Sequence, residues 1–184
     1  MAITTAKDLF LDELKDIYSA EKQAIRSYPR IAKAVSSEEL RQSLQQHLEQ
    51  TKGQLERLDR VFEVLEKRAG GKTCEAMKGL LEEAAESIEE IERGPVLDVA
   101  IIAAAQRIEH YEIAAYGTVA TLAEAMGETK IQKLLAETLQ EEKETDQLLT
   151  QVAQTVNTEA LNLGQQDGEQ SQSEKPKPRK SAAK

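Results

Sequence analysis

The amino-acid sequence predicts an all-α fold, a bundle of four long helices with an additional shorter helix in the middle connection. Apolar residues recur every three or four positions along four long segments, which is the period of a helix with one buried face. No alternation typical of a β-strand extends over a useful length. Of the 184 residues, 40% are hydrophobic but only 3% are aromatic, so the core must consist mainly of aliphatic side chains, as in helical bundles.

The first two helices are predicted to form an antiparallel hairpin. The first begins at Thr5 or the threonine before it, either of which can cap it, and has a kink at Pro29. Ser36 and Glu39 have the spacing of a capping box, which predicts the start of the second helix. That helix is expected to continue as far as Gly70.

Similar signals bound the remaining helices. A shorter third helix is predicted for Cys74–Glu92, and the Gly94–Pro95 pair separates it from the fourth. Gly127 ends the fourth helix, and Thr129 caps the fifth. The sequence therefore contains two helical hairpins with a short helix between them.

The lengths of the connections predict the topology. About 25 residues separate the two hairpins. At about 1.5 Å per residue, a helix in this segment could travel roughly the length of the bundle. A long middle connection between two hairpins is typical of a ferritin-like four-helix bundle rather than of an up-down-up-down bundle.

We predict two parts of the chain: residues 1–164 form the helical bundle, and residues 165–184 form a disordered, lysine-rich tail. The tail contains no Leu, Ile, Val or aromatic residue, and five of its last ten residues are positively charged. The chain as a whole has a formal charge of −9, which opposes nucleic-acid binding by the bundle. We therefore expect nucleic acid to associate at most weakly, through the tail.

The cysteine count and the hydropathy pattern predict the compartment. Cys74 is the only cysteine, so no intramolecular disulfide can form, which favours an intracellular protein. No apolar run is long enough to cross a membrane. We expect a cytoplasmic protein without a membrane partner.

Polar residues interrupt the apolar stripes of all four long helices. They are Glu21, His47, Glu109, Glu112 and Glu142. A helical wheel at about 100° per residue places the four glutamates within the stripes and the histidine at the edge of one. A buried carboxylate is costly unless it is paired, protonated or bound to metal. Several such residues converging in one bundle predict a metal site.

The distance of each residue from the nearest interhelical turn predicts its depth in the bundle. Glu112 and Glu142 are almost equidistant from the turn between the fourth and fifth helices, so they should face each other. Glu21 lies 15 residues before the first turn and His47 lies 11 residues after it, a mismatch of about 6 Å at helical rise. His47 is therefore the least favoured member of the set. Asp146, one turn beyond Glu142, is a further candidate, as a ligand or as the partner of one.

The ligand types favour iron or manganese. Carboxylates suit hard or borderline cations, and a histidine favours transition metals. In dinuclear bundle proteins, glutamates from several helices bridge two ions and Glu-x-x-His pairs complete the coordination. Glu109 and Glu112 have the same i, i+3 spacing, but the chain contains no Glu-x-x-His.

An alternative interpretation without metal is open at this point. The chain has 33 acidic residues, so some fall on apolar stripes by chance. A buried glutamate could pair with Lys or Arg, or accept a hydrogen bond from the hydroxyl of Tyr28, Tyr111 or Tyr116. His47 by itself is more typical of a hydrogen-bonded structural histidine, and His110 points away from the apolar stripe.

Four stretches around these residues form a recognisable set: YSAEKQ (18–23), HLEQTKGQLERL (47–58), AAAQRIEHYEIAAYGTVATLAEAMG (103–127) and TLQEEKETD (138–146). They closely resemble the YciF-like family, also called DUF892, and the resemblance covers about residues 5–158. It implies a ferritin-like fold, a link to bacterial stress responses, metal bound within the bundle, and dimerisation. It also implies that the metal-site residues are Glu21, His47, Glu109, Glu112 and Glu142. Some relatives read HLEET where this chain has Gln50, which implies a weaker site if that acidic residue is a ligand.

The leading functional hypothesis is a ferritin-like stress-response protein with a dinuclear iron or manganese centre that reacts with peroxide or oxygen. The alternative is a non-catalytic helical dimer that acts as a scaffold or stress-induced binding protein, with weak DNA association through the tail. A homodimer is expected in both cases. Whether the protein is an enzyme stays open.

Overall fold

The computed structural model describes residues 3–173, and the side chains as far as residue 163. Five helices and no strand are present in this part of the chain. The helices are α1 (Ala6–Ala34), α2 (Glu38–Val64), α3 (Glu75–Glu90), α4 (Pro95–Ala125) and α5 (Thr129–Ser173). The predicted all-α fold with a short helix in the middle connection is confirmed.

The four long helices form two hairpins that pack side by side. Helices α1 and α4 are antiparallel neighbours, because Tyr28 meets Glu109 at one height and Tyr116 meets Glu21 at another. Helices α2 and α5 are also antiparallel neighbours, with Arg57 bonded to residues of α5. Helix α3 lies against the outer side of the α1–α4 pair. This arrangement leaves all four long helices with one face towards a common interior.

The start of α2 differs from the predicted capping box. Its N-cap is Ser37, whose hydroxyl accepts a hydrogen bond from the backbone N–H of Leu40. The backbone N–H of Ser36 instead donates to Asp98 Oδ1 over 2.7 Å, and its hydroxyl donates to Asp98 Oδ2 over 2.5 Å. Ser36, which the local pattern predicted as the N-cap of α2, is therefore bonded to the carboxylate of Asp98 on α4 instead.

Helix α2 also ends earlier than predicted, at Val64 rather than near Gly70. Glu66 has a φ of 52°, in the left-handed region, and the backbone N–H of Lys67 donates to the carbonyl oxygen of Phe62 over 3.0 Å. A left-handed residue followed by such a bond is a common helix ending. The helix is thus stopped without a glycine at that position.

The other predicted ends agree closely with the structure. Thr5 caps α1 in a capping box with Asp8, Cys74 is the N-cap of α3, and Pro95 is the first residue of α4. Helix α5 continues to Ser173, beyond the predicted boundary at residue 164. The remainder of the predicted disordered tail, residues 174–184, lies outside the described residues.

The buried side chains form an apolar cluster at each end of the bundle. One cluster includes Ile31, Leu40 and Val152, and the other includes Leu14, Phe62 and Val119. A smaller cluster beside α3 includes Cys74 and Met77. The helix segments between the two clusters carry most of the buried polar residues. None of the helices described has an apolar stretch capable of spanning a bilayer.

Candidate metal centre

A band of buried polar side chains separates the two apolar ends of the bundle. All four long helices contribute to it, and each member is less than one-tenth exposed. The band consists of Glu21, His47, Thr51, Gln54, Glu109, Glu112, Thr138, Glu142 and Thr145. The apolar stripes of four separate helices are therefore interrupted within one polar segment of the bundle, between its two apolar ends.

Four members of this band form a compact group that can hold a metal ion. One potential ligand atom from each of His47, Glu109, Glu112 and Glu142 lies within 4.8 Å of the others. His47 Nε2 is 3.2 Å from Glu109 Oε1 and 3.9 Å from Glu142 Oε2. The group combines an imidazole from α2 with three carboxylates from α4 and α5.

Seven buried oxygen and nitrogen atoms in the band have no hydrogen-bond partner. They are Glu21 Oε2, His47 Nε2, Gln54 Oε1, Glu109 Oε2, Glu112 Oε1 and both carboxylate oxygens of Glu142. A buried polar atom without a partner costs about 1–3 kcal/mol, and more if it is charged. Every one of these atoms is a potential metal ligand, so bound cations would satisfy them. The residues present thus fit a metal site.

Burial and the proximity of like charges favour the neutral form of three glutamates of the band. Burial raises the pKa of Glu21, Glu109 and Glu112 well above the ordinary value, and the neighbouring charge of Glu142 raises each pKa further. Burial lowers the pKa of His47, although nearby carboxylates and the amide of Gln50 oppose this shift. The imidazole is therefore neutral near pH 7, as a metal ligand must be.

Two tyrosines orient carboxylates of the band from the opposite ends. The hydroxyl of Tyr28 donates to Glu109 Oε1 over 3.2 Å, and that of Tyr116 donates to Glu21 Oε1. Each hydrogen bond occupies one carboxylate oxygen and leaves the other without a partner. Of the three tyrosines that the alternative interpretation offered as partners, Tyr28 and Tyr116 contact buried glutamates, whereas Tyr111 donates to Asp16.

A threonine fixes the orientation of the histidine ring. Thr145 Oγ1 donates to the backbone carbonyl of Glu141 over 3.1 Å, so its oxygen can accept a hydrogen bond from the Nδ1–H of His47, 3.2 Å away. With the proton on Nδ1, the lone pair of Nε2 points at the carboxylates. The ring of Tyr28 packs edge-on against the imidazole, with 5.2 Å between centroids.

The interpretation that the buried glutamates pair with basic side chains is not supported in the described part of the chain. Between residues 3 and 163, no Lys or Arg forms an ion pair with the buried carboxylates of the band. The nearest arginine in α2, Arg57, is bonded instead to Glu137 and Glu141 at the edge of the α2–α5 interface. The described carboxylates of the band therefore face one another without a direct ion pair to Lys or Arg, although the charge of Arg57 acts on Glu21 from a distance.

Comparison with known proteins places these features in a family. A family model described as a domain of unknown function, DUF892, matches residues 5–162. The chain belongs to the DUF892 family. Protein YciF of Escherichia coli (strain K12) is 51% identical over 164 residues, which is 88% of this chain and 99% of that protein. The crystal structure of the E. coli stress protein YciF matches with a TM-score of 0.82 at 50% identity, covering 85% of this chain and 99% of that one.

Two further solved structures share the fold. YcfI from Rhodopseudomonas palustris is 44% identical with a TM-score of 0.78, covering 80% of this chain and 94% of that one. A protein from Xanthomonas campestris pv. campestris has a TM-score of 0.70 at 20% identity, covering 88% and 99% of the two chains. At that identity the likeness extends to the fold alone. The resemblance to the YciF-like family is confirmed.

Within this DUF892 bundle, the predicted site residues do not all meet at one point. His47 is a member of the compact group, whereas the depth argument made it the least favoured candidate. Glu21 lies outside that group, although it is fully buried in the same band. The axial register of the helices explains this difference. The ring contact with Tyr28 places His47 at the height of Glu109, whereas Glu21 lies seven residues, about two turns, before Tyr28 on α1.

Asp146 is not brought into the compact group. It accepts a hydrogen bond from Gln106 Nε2 over 3.0 Å, and its Oδ1 lies 3.4 Å from His110 Nε2. These contacts place the side chain in the outer groove between α4 and α5, half-buried. Although Asp146 lies one turn beyond Glu142, its side chain therefore does not face the interior of the bundle.

Sequence reasoning missed three neutral polar residues of the band, Gln54, Thr138 and Thr145. Thr51, Gln54, Thr138 and Thr145 are all buried, and Gln54 has no measurable exposure. Thr51 and Gln54 follow His47 by four and seven residues, which puts all three on one helix face. That spacing was the available signal in the sequence.

Proposed function

We propose that this protein binds two iron or manganese ions in the polar band and reacts with peroxide or oxygen as part of a stress response. The observation that supports it best is the set of seven buried, partnerless ligand atoms from α1, α2, α4 and α5. Such reduced metal ions would supply electrons to peroxide or oxygen. The name of one close relative, the E. coli stress protein YciF, agrees with the proposed setting.

The protein's own residues would perform three tasks in this function. His47, Glu109, Glu112 and Glu142 would hold metal, and Glu21 would extend the site along the bundle axis. The apolar clusters at both ends exclude water from the pocket. Low exposure strengthens the electrostatic attraction between carboxylates and cations.

The tyrosines and the threonine would preserve the geometry while the metal changes charge. Tyr28 and Tyr116 hold one oxygen each of Glu109 and Glu21, so those carboxylates keep a fixed direction. Glu142 has no such restraint at either oxygen. It is the carboxylate of the band that would be most free to reorient when metal binds.

Anaerobic titration of metal-free protein with Fe(II) tests the proposal. We expect uptake of about two ions per chain, and a loss of stoichiometric uptake in Glu109→Ala and Glu142→Ala. Glu144→Ala is a matched control, because Glu144 is an exposed glutamate of the same helix that bonds only to Gln140. Absence of uptake by the native protein, or equal uptake by the Glu142→Ala and Glu144→Ala variants, would refute the proposal.

A further inference from the structure

The polar band extends further along the bundle than the compact four-residue group. The ring pair of Tyr28 and His47 sets the register between the antiparallel helices α1 and α2. Glu21 lies seven residues before Tyr28 on α1, and Gln54 lies seven residues after His47 on α2. Because the two helices are antiparallel, both steps lead towards the same end of the bundle. Equal steps along antiparallel helices keep two positions at a similar height, which places Glu21 and Gln54 within about one turn of each other along the bundle axis. Glu141, which bonds Gln54, also acts on the charge of Glu21.

The carboxamide of Gln54 is held in one orientation. Its Nε2 donates to Glu141 Oε2 over 3.1 Å, and Arg57 fixes that carboxylate with bonds of 3.0 and 2.8 Å. A carboxylate only accepts hydrogen bonds, so the amide nitrogen must face Glu141 and the amide oxygen must face away from it. Gln54 is completely buried, yet its Oε1 has no partner.

The same end of the band contains a second partnerless oxygen. Tyr116 occupies Oε1 of Glu21, and Oε2 of Glu21 has no partner. The charge of Glu21 is, after burial, the main cause of the raised pKa of Glu112, and the charge of Glu142 follows it. Glu112 and Glu142 therefore lie within electrostatic reach of both ends of the band.

We propose that Gln54 Oε1 and Glu21 Oε2 bind a second cation, distinct from the cation at the His47 end of the pocket. Glu112 and Glu142, between the two ends, contribute oxygens to both positions. The inference rests on the proposed function, and adds to it that Gln54 is a neutral ligand and that the two cation positions have different ligands. The His47 end offers nitrogen and carboxylate ligands, whereas the Gln54 end offers oxygen alone.

The asymmetry predicts that the two cations differ in affinity. Imidazole favours transition metals, whereas a site made only of carboxylate and amide oxygens favours hard cations and discriminates less among divalent metals. A neutral amide also contributes less charge than a carboxylate would. We therefore expect the His47 position to fill first and the Gln54 position second.

Titration of the metal-free full-length chain with Mn(II), followed by electron paramagnetic resonance, tests this inference. The native protein should bind two Mn(II) ions and show a spin-coupled signal when both are bound. Gln54→Leu should keep the tighter ion, lose affinity for the second by at least about tenfold, and lose the coupled signal. Gln54→Glu, which keeps an oxygen at this position, should retain the second ion.

A matched control distinguishes the loss of a metal ligand from the general effect of replacing a glutamine by leucine. Gln106 also donates its Nε2 to a carboxylate of α5, that of Asp146, but it lies in the outer groove. Gln106→Leu should therefore bind both ions as the native protein does. Metal-free Gln54→Leu is expected to melt close to the native protein, because the lost hydrogen bond to Glu141 is offset by removal of a buried oxygen without a partner.

The outcomes distinguish this inference from the proposed function. Uptake of two coupled ions by the native protein with unchanged binding in Gln54→Leu would overturn the role of Gln54 and leave the dinuclear site standing. Loss of the second ion in both Gln54→Leu and Gln54→Glu would overturn a ligand role and point to packing. No Mn(II) or Fe(II) uptake by the native protein would overturn both proposals.

Discussion

Glu142 has no hydrogen-bond partner at either carboxylate oxygen, although its side chain is fully buried. It faces His47 across the α2–α5 interface and raises the pKa of three neighbouring glutamates. Each of those glutamates keeps at least one partnerless oxygen as well. Burying these oxygens without partners thus lowers the stability of the metal-free protein. A bound divalent cation would offset this cost.

The metal-free protein should lose stability as pH rises. Glu21, Glu109 and Glu112 have folded-state pKa values raised above the ordinary 4.5, so the folded state binds more protons than the unfolded state above that pH. Their stabilising contribution is complete below about pH 4.5 and is lost as pH rises through the raised values. Urea unfolding of metal-free protein between pH 5 and pH 8 measures this slope.

A substitution isolates the carboxyl contribution to that slope. Glu112→Gln should make the decline shallower, since a neutral amide does not titrate. His47 acts in the opposite direction, because its lowered pKa adds stability above pH 6.5 that is lost as pH falls. A free energy of unfolding that rises with pH in the native protein would contradict the raised carboxyl pKa values. The same holds if Glu112→Gln leaves its dependence on pH unchanged.

The thiol of Cys74 should react slowly with alkylating reagents in the folded protein. Although Cys74 is the N-cap of α3, burial raises its pKa, and the neighbouring Asp16 raises it further. Its Sγ also lies 3.0 Å from the hydroxyl of Tyr111, which is bonded to Asp16. Iodoacetamide labelling at pH 8 should be at least about tenfold slower than in urea, and equal rates would show that the thiol is exposed.

At the level of elements, Asp98 joins the two hairpins. It accepts hydrogen bonds from the backbone N–H groups of Ser36 and Ser37, over 2.7 and 2.8 Å, and from the Ser36 hydroxyl. The turn between α1 and α2 is therefore held by a residue in the first turn of α4. This contact fixes the height of α4 against the first hairpin.

Removing the Asp98 carboxylate should destabilise the fold. Asp98→Ala leaves backbone N–H groups in the turn without partners, which we expect to lower the free energy of unfolding by about 2–4 kcal/mol. Glu124→Ala, an exposed change in the same helix, should shift it by less than about 0.5 kcal/mol. Urea unfolding monitored by circular dichroism compares the two, and similar effects would argue against this role for Asp98.

At the scale of the whole molecule, the bundle surrounds the polar band with apolar packing at both ends. None of the described contacts of the band involves a residue beyond Thr145. The segment after residue 164 should therefore contribute little to metal binding or to the stability of the bundle. The two-part division of the chain and the homodimer stay predictions at this scale.

A chain truncated after residue 164 tests this division. We expect its melting temperature and Fe(II) stoichiometry to equal those of the full chain, because the buried band is intact. Any DNA gel-shift at low salt should disappear, since the truncation removes the basic end of the tail. A shift that survives truncation would place DNA binding on the bundle, and light scattering of both forms would report whether a dimer persists.

The sequence by itself determined the helices, most of their ends, and the interruption of the apolar stripes by Glu21, His47, Glu109, Glu112 and Glu142. These features are local, because the helical period fixes the direction of each side chain around its own axis. The sequence was also sufficient for the family resemblance. All five residues are buried, as their positions on the stripes indicated.

Only the tertiary structure decided which atoms meet. Periodicity does not specify the axial register between two helices, and the interhelical contacts of Tyr28 and Asp98 decide it here. Those contacts place His47 in the compact group, leave Glu21 outside it, and direct Ser36 to Asp98 instead of the predicted cap. Packing between distant parts of the chain therefore decided how the predicted buried residues are grouped.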